Sequence, residues 1–208
     1  MDKMIKICGI TNCRDAVLAV ELGADLLGLN FVPESPRCLD VKTATAVADA
    51  VRGRTQLVGV FVNHPASTVE KIAAAVGLDL LQFHGDEDPE YVHQFGSRAI
   101  KAFRVDEAFS PEELTGYERV WGYLFDASHP TLFGGTGKKW PYEAVANLPT
   151  DRPTLVAGGI GPATVGEALL RSGASGVDVC SGVESSPGIK DPVLMRQLFT
   201  ALQGTHLP

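Results

Sequence analysis

Two side chains with acid–base chemistry stand where short apolar runs end. Cys8 closes the run Met4-Ile5-Lys6-Ile7 and is followed by Gly9, while Asp126 closes Gly122-Tyr123-Leu124-Phe125. A thiol whose pKa falls from about 8.5 toward neutrality is a competent general base. A carboxylate placed straight after apolar residues is costly to bury, and partial burial raises its pKa toward what a general acid requires. Each has a plainer reading: a buried cysteine closing a strand, and an aspartate capping the next loop. Cys180 also ends an apolar run, so position alone does not separate it from Cys8, and Asp178 shares the ambiguity of Asp126.

Glycine loops suggest an anion site. Gly134-Gly135-Thr136-Gly137-Lys138, Gly158-Gly159-Ile160-Gly161 and Ser181-Gly182-Val183 each follow an apolar run. Glycine lets backbone N–H groups approach a phosphate, and a helix start adds its positive dipole. A glycine pair alone is weak, because tight turns need glycine for steric reasons, but two such loops on successive late strands strengthen the reading. Gly134–Lys138 lacks the spacing of a P-loop. His84, Asp86 and Asp88 have no third partner at a spacing that would hold a metal, so they read as solvated turn residues. His64 and His129, each next to a proline, read as loop residues, and whether Lys6 faces a barrel interior or the surface is open.

Short β-rich runs alternate with helical stretches and supply the positions for these groups. The strands are expected at Met4–Cys8, Leu26–Phe31, Leu57–Val62, Leu80–Phe83, Ala99–Arg104, Tyr123–Asp126, Thr154–Ala157 and Gly176–Cys180. They are apolar on both sides, as parallel strands covered on both faces are. Asp88-Pro89, Ser110-Pro111 and Asp191-Pro192 mark helix starts, and Gly23, Gly77, Gly96 and Gly173 mark ends. Val69, Ile72, Ala73 and Val76 form a packing stripe, and Pro111–Tyr117 is the most weakly marked helix. A doubly wound open sheet is one arrangement; the count of eight favours a closed (β/α)8 TIM barrel, a compact one in a single domain spanning residues 1–208. In such a barrel the site lies at the C-terminal ends of the strands, where Cys8, Asp126 and the glycine loops fall.

Composition narrows the class. The chain has 208 residues, 45% apolar, with a formal charge of −7, which argues against a nucleic-acid surface. No apolar run approaches the roughly 20 residues that span a bilayer, and the first residues read as a strand rather than a signal peptide, so a cytoplasmic location is expected. Four cysteines without a C-x-x-C pair argue against a disulfide framework and a zinc site. Cys13 and Cys38, a helix and a loop residue, lack the placement of Cys8. No metal or organic cofactor is expected.

The segments Lys6-Ile7-Cys8-Gly9-Ile10-Thr11, Ser35-Pro36-Arg37, Gln82-Phe83-His84-Gly85, Phe125-Asp126-Ala127, Gly134–Gly137 and Asp178-Val179-Cys180-Ser181-Gly182-Val183-Glu184 together resemble the phosphoribosylanthranilate isomerases. They come in family order over nearly the whole chain. The resemblance implies an Amadori rearrangement of N-(5-phosphoribosyl)anthranilate to the deoxyribulose phosphate, an aldose–ketose isomerisation of tryptophan synthesis. It implies Asp126 as the acid that protonates the furanose oxygen and Cys8 as the base that takes the C2 proton. It assigns Arg37 to the anthranilate carboxylate, Gln82, His84, Gly135, Thr136, Gly137 and Asp178 to substrate contacts, and Gly158, Gly159, Ser181 and Gly182 to the phosphate. The Gly135–Gly137 loop would close over the site. The expected partner is a small phosphosugar, with neither nucleic acid nor membrane, on a monomer or homodimer.

Three departures from the family pattern stand out. Cys180 stands where serine is usual, Lys139-Trp140-Pro141-Tyr142 replaces an aromatic–aspartate–tryptophan pattern, and Ala163-Thr164 replaces a usual asparagine before Val165. Two alternatives stay open. Indole-glycerol-phosphate synthase and the histidine-pathway isomerases share such a barrel but use a lysine or paired aspartates. A catalytically silent phosphosugar-binding barrel comes from a different class, and a turnover assay separates it.

Overall fold

In the computed structural model the described residues are 3–106, 108–126, 142–146 and 148–203. Eight parallel strands close on themselves in sequence order: β1 Met4–Ile7, β2 Leu26–Asn30, β3 Gln56–Phe61, β4 Leu80–Phe83, β5 Ala99–Arg104, β6 Gly122–Asp126, β7 Thr154–Ala157 and β8 Gly176–Val179. Closure is made by β1 against β8, with Lys6 opposite Asp178 and Ile7 opposite Val179. Alternate residues point to opposite faces, so the barrel has two apolar layers. Leu26, Val58, Leu80, Ile100, Leu124 and Leu155 fill its interior. Ile7, Leu27, Leu29, Phe61, Phe83 and Phe125 face outward into the layer under the helices. That double burial is why the strands carry no alternation of apolar and polar residues.

The helices are α1 Cys13–Leu22, α2 Val41–Val51, α3 Ala66–Val76, α4 Pro89–His93, α5 Tyr142–Val145, α6 Val165–Ser172 and α7 Pro192–Gln203. Asn12, Asp40 and Asp88 cap α1, α2 and α4 by accepting from Asp15 N, Thr43 N and Tyr91 N. Asp191 Oδ1 accepts from Val193 N and Leu194 N as α7 starts. Val69, Ala73 and Val76 of α3 pack against the barrel.

Two expectations change. Pro111–Tyr117 is not an α-helix: Ser110 caps a single 3₁₀ turn over Pro111–Leu114, after which Thr115 turns extended and Gly116 takes a φ of 91°. Gly96 does not cap α4, which stops at His93; it opens the 3₁₀ turn Gly96–Arg98. After β8 a 3₁₀ turn over Ser181–Val183 leads into a small antiparallel hairpin, β9 Glu184–Ser186 and β10 Ile189–Lys190. Among the described residues no helix is long and apolar enough to cross a membrane.

Candidate active site

Inward parity carries Lys6 on β1, Gln82 on β4, Asp126 on β6 and Asp178 on β8, with Cys8, His84 and Cys180 just past the ends of β1, β4 and β8, toward one mouth of the barrel. There a cavity of about 300 Å³ is lined by Cys8, Arg37, Gln82, His84, Asp126, Gly158, Gly159, Asp178 and Ser181, joined by Asn30, Ser35 and Cys180. Gly182 lies just behind, packed on Gly161, and a side chain there would overlap the carbonyl of Ile160. Of the expected site residues, Gly135, Thr136 and Gly137 lie outside the described residues.

Around the closed sheet β7 and β8 separate β6 from β1, so Asp126 and Cys8 stand on different sides of the mouth. Asp126 Oδ2 lies 3.3 Å from His84 Nε2. Gln82 Nε2 reaches His84 Nδ1 at 3.0 Å, and an amide N–H donated there leaves the ring proton on Nε2, facing Asp126. His84 is therefore part of the cavity rather than a solvated turn residue. Asp86 and Asp88 remain turn residues, Asp88 as the cap of α4.

Cys8 is set among other charged groups. The neighbouring Cys180 thiol favours the Cys8 thiolate, burial opposes it, and the Lys6 and Lys190 ammoniums add their attraction, so the Cys8 thiol is held well below its usual pKa, while the Cys180 thiol itself donates to Glu184 Oε1 at 3.9 Å. The Cys8 thiolate, with burial, pushes Cys180 up. Lys6 is fully buried with its Nζ 3.0 Å from Asp178 Oδ2, which settles that it faces inward. Burial alone would lower the Lys6 pKa, but Asp178 and Cys8 raise it. Burial and the neighbouring Cys8 push Asp178 up to about 7 against the pull of Lys6. Among the described residues, Gln82 Oε1 and Asp178 Oδ1 are buried without a hydrogen-bond partner.

Arg37 pairs neither with Glu34 nor with Asp40, its nearest acidic neighbours in the chain. Its Nε and Nη2 donate to Glu184 at 2.8 and 2.5 Å, a two-pronged bond that leaves three of the five guanidinium N–H groups for other acceptors. Glu184 also accepts from Lys190 Nζ at 3.0 Å, and Lys190 donates to the carbonyls of Cys8 at 2.6 Å and Cys180 at 3.2 Å. Burial would raise the Glu184 pKa, but Arg37 and Lys190 hold it at about 2. Lys190 carries no signal that sequence reading could use, since a lysine in a polar loop reads as exposed. Glu184 ends the segment Asp178–Glu184 that resembles the family, and its position there gives no sign of the pairing with Arg37.

The two late loops come together without side chains between them. Gly158 and Gly159 take φ of 99° and 66°, which glycine alone adopts at little cost, and Gly159 faces open space. No cluster of three or more histidine, cysteine or acidic residues that could hold a metal occurs among the described residues.

A family model described as N-(5′phosphoribosyl)anthranilate (PRA) isomerase matches residues 5–201. An N-(5′-phosphoribosyl)anthranilate isomerase of Myxococcus xanthus is 42% identical over 211 residues, covering 100% of this chain and 99% of the relative. The crystal structure of the Thermotoga maritima phosphoribosyl anthranilate isomerase superposes with a TM-score of 0.88 at 32% identity, covering 98% of this chain and 100% of that one. A phosphoribosyl anthranilate isomerase solved with reduced 1-(o-carboxyphenylamino)-1-deoxyribulose 5-phosphate aligns at 30% identity and a TM-score of 0.85, with 98% and 100% coverage.

Proposed function

Because this chain belongs to the N-(5′-phosphoribosyl)anthranilate isomerase family, we propose that it performs the Amadori rearrangement of tryptophan synthesis, with Asp126 as general acid and Cys8 as general base. The observation that carries this is the placement around one cavity of the Cys8 thiol, whose strand ends hold the buried Lys6 and Lys190 ammoniums, and of the Asp126 carboxyl 3.3 Å from His84 Nε2 on a different side. Asp126 delivers its proton to the furanose ring oxygen as the C1–O bond breaks and the anilino nitrogen forms the imine. The His84 N–H then stabilises the carboxylate left behind. Cys8 removes the C2 proton, and the resulting enolamine relaxes to the ketone.

Binding follows the same geometry. Gly158, Gly159, Ser181 and Gly182 hold the phosphate through backbone N–H groups, because their loops approach closely and leave open space at Gly159. Gln82 Oε1 and Asp178 Oδ1, otherwise unsatisfied and buried, accept from substrate hydroxyls, which removes the cost of leaving them unpaired. The free N–H groups of Arg37 take the anthranilate carboxylate while Glu184 holds the guanidinium in place. The test is to follow anthranilate fluorescence as the purified chain consumes N-(5′-phosphoribosyl)anthranilate. Conversion to the deoxyribulose phosphate by the parent, and its loss in Asp126→Asn with binding retained, is the expected result; turnover unchanged in Asp126→Asn overturns the acid assignment.

A further inference from the structure

The isomerisation uses one thiol, yet two share the cavity. Cys8 and Cys180 follow the closing strands β1 and β8, one residue past the register pair Ile7–Val179. Two residues earlier on the same inward face, the side chains of Lys6 and Asp178 already meet at 3.0 Å. Neighbouring strands run about 4.7–4.9 Å apart, inside the range of roughly 4.4–6.8 Å between Cα atoms that a disulfide bridges. The buried Lys190 ammonium holds both cysteine backbones, donating to the Cys8 carbonyl at 2.6 Å and the Cys180 carbonyl at 3.2 Å. Both residues line the same cavity of about 300 Å³, which admits a small oxidant.

We propose that Cys8 and Cys180 form an oxidisable dithiol: hydrogen peroxide converts them to an intramolecular disulfide that disables the site until a thiol reductant reopens it. The Cys8 thiolate attacks one peroxide oxygen, the O–O bond breaks, and the departing hydroxide takes up a proton to become water. The sulfur of Cys180 then attacks the sulfenic acid of Cys8. An S–S bond forms, the S–O bond breaks, and the hydroxide leaves with the Cys180 proton as a second water. Two electrons pass from the sulfurs to the peroxide. Cys180 is held protonated mainly by the Cys8 thiolate beside it, with burial, and the first of these restraints disappears once Cys8 is a sulfenic acid. The loss of activity rests on Cys8 being the base; the disulfide itself does not.

The experiment uses the full chain with Cys13→Ser and Cys38→Ser, so that only the two barrel thiols remain. It is treated with hydrogen peroxide, alkylated, and mapped by mass spectrometry without reduction, with turnover measured before and after dithiothreitol. The expected result is a Cys8–Cys180 linked peptide and turnover lowered by about 10²-fold, the scale of losing a general base, then regained on reduction. With Cys180→Ser added, Cys8 should proceed to sulfinic acid and reduction should no longer restore its own starting rate. Absence of the linked peptide, or equal sulfinic acid formation with and without Cys180, overturns the dithiol even where Cys8→Ala is inactive. A linked peptide with turnover retained overturns the switch and, with it, Cys8 as base.

Discussion

Replacing Glu184 by glutamine removes one charge from the bracket behind the site while keeping its shape. The carboxylate is 4% exposed and takes bonds from Arg37 at 2.8 and 2.5 Å and from Lys190 at 3.0 Å. The Lys190 side chain is fully buried, so the change leaves an ammonium without its counterion. Removing one partner of a buried pair costs roughly 3–5 kcal/mol. Three features reduce that figure: the amide oxygen still accepts, Lys190 keeps its two carbonyl acceptors, and Arg37 is 21% exposed to water. We expect a loss of about 2–3 kcal/mol, the scale of one or two charge-assisted bonds, which lowers a urea midpoint by about 1 M. The pH dependence has a definite sign. Glu184 is depressed from 4.5 to about 2, so its contribution is complete above pH 4.5 and is lost as pH falls through about 2. The gap between parent and Glu184→Gln should therefore be widest at neutral pH and narrow as the solution is acidified below the unfolded value. Urea unfolding followed by circular dichroism across that range reads it directly. Equal midpoints at neutral pH, or a gap that does not narrow in acid, would refute the reasoning.

Other perturbations address the groups around the thiol and the ligand. Lys6→Met removes an ammonium that favours the Cys8 thiolate, and Asp178→Asn removes a carboxyl that competes with it. Iodoacetamide labelling of Cys8 should titrate at higher pH in the first and lower pH in the second; shifts in the same direction would contradict the charge competition. Arg37→Ala should weaken binding of N-(5′-phosphoribosyl)anthranilate about ten- to a hundredfold, as expected for roughly 1.5–3 kcal/mol, and an unchanged fluorescence titration would remove the guanidinium from the substrate site. Dialysis against a strong chelator should leave the rate unaltered, and a loss restored by zinc or magnesium would show that a metal takes part.

The strand ends are readable because the barrel strands are largely buried on both faces, so each shows as a mainly apolar run with clear limits, interrupted only by single buried polar residues such as Lys6, Gln82, Lys101 and Asp178. β4, β5 and β7 match their expected bounds, and the others differ by a residue at one end or, for β3, at both. The same double burial hid the direction of Lys6. With no alternation along β1, nothing in Met4–Cys8 says which parity faces inward, and only closure against β8 puts Lys6 beside Asp178. Cys8 and Asp126 were legible as candidates since polar groups after apolar runs fall at the barrel mouth. The contact of Cys8 with Cys180 was not, because it depends on the first and last strands meeting. Lys190 was illegible for a related reason: its burial is decided by a hairpin that folds back under the ends of β1 and β8. Arg37 misdirects in the same way, since Glu34 and Asp40 are near in sequence while its partner is Glu184. The single 3₁₀ turn at Pro111–Leu114 shows that a strong start signal does not set length, which here ends where Thr115 turns extended.

The assignment of base and acid is tested most directly by steady-state turnover of N-(5′-phosphoribosyl)anthranilate in Cys8→Ala, beside its circular dichroism spectrum. With the fold intact, kcat should fall by at least ~10²-fold while KM changes little, because the thiol acts on the C2 proton and not on the groups that bind substrate. Near-normal kcat with a parental spectrum would show that another group takes that proton.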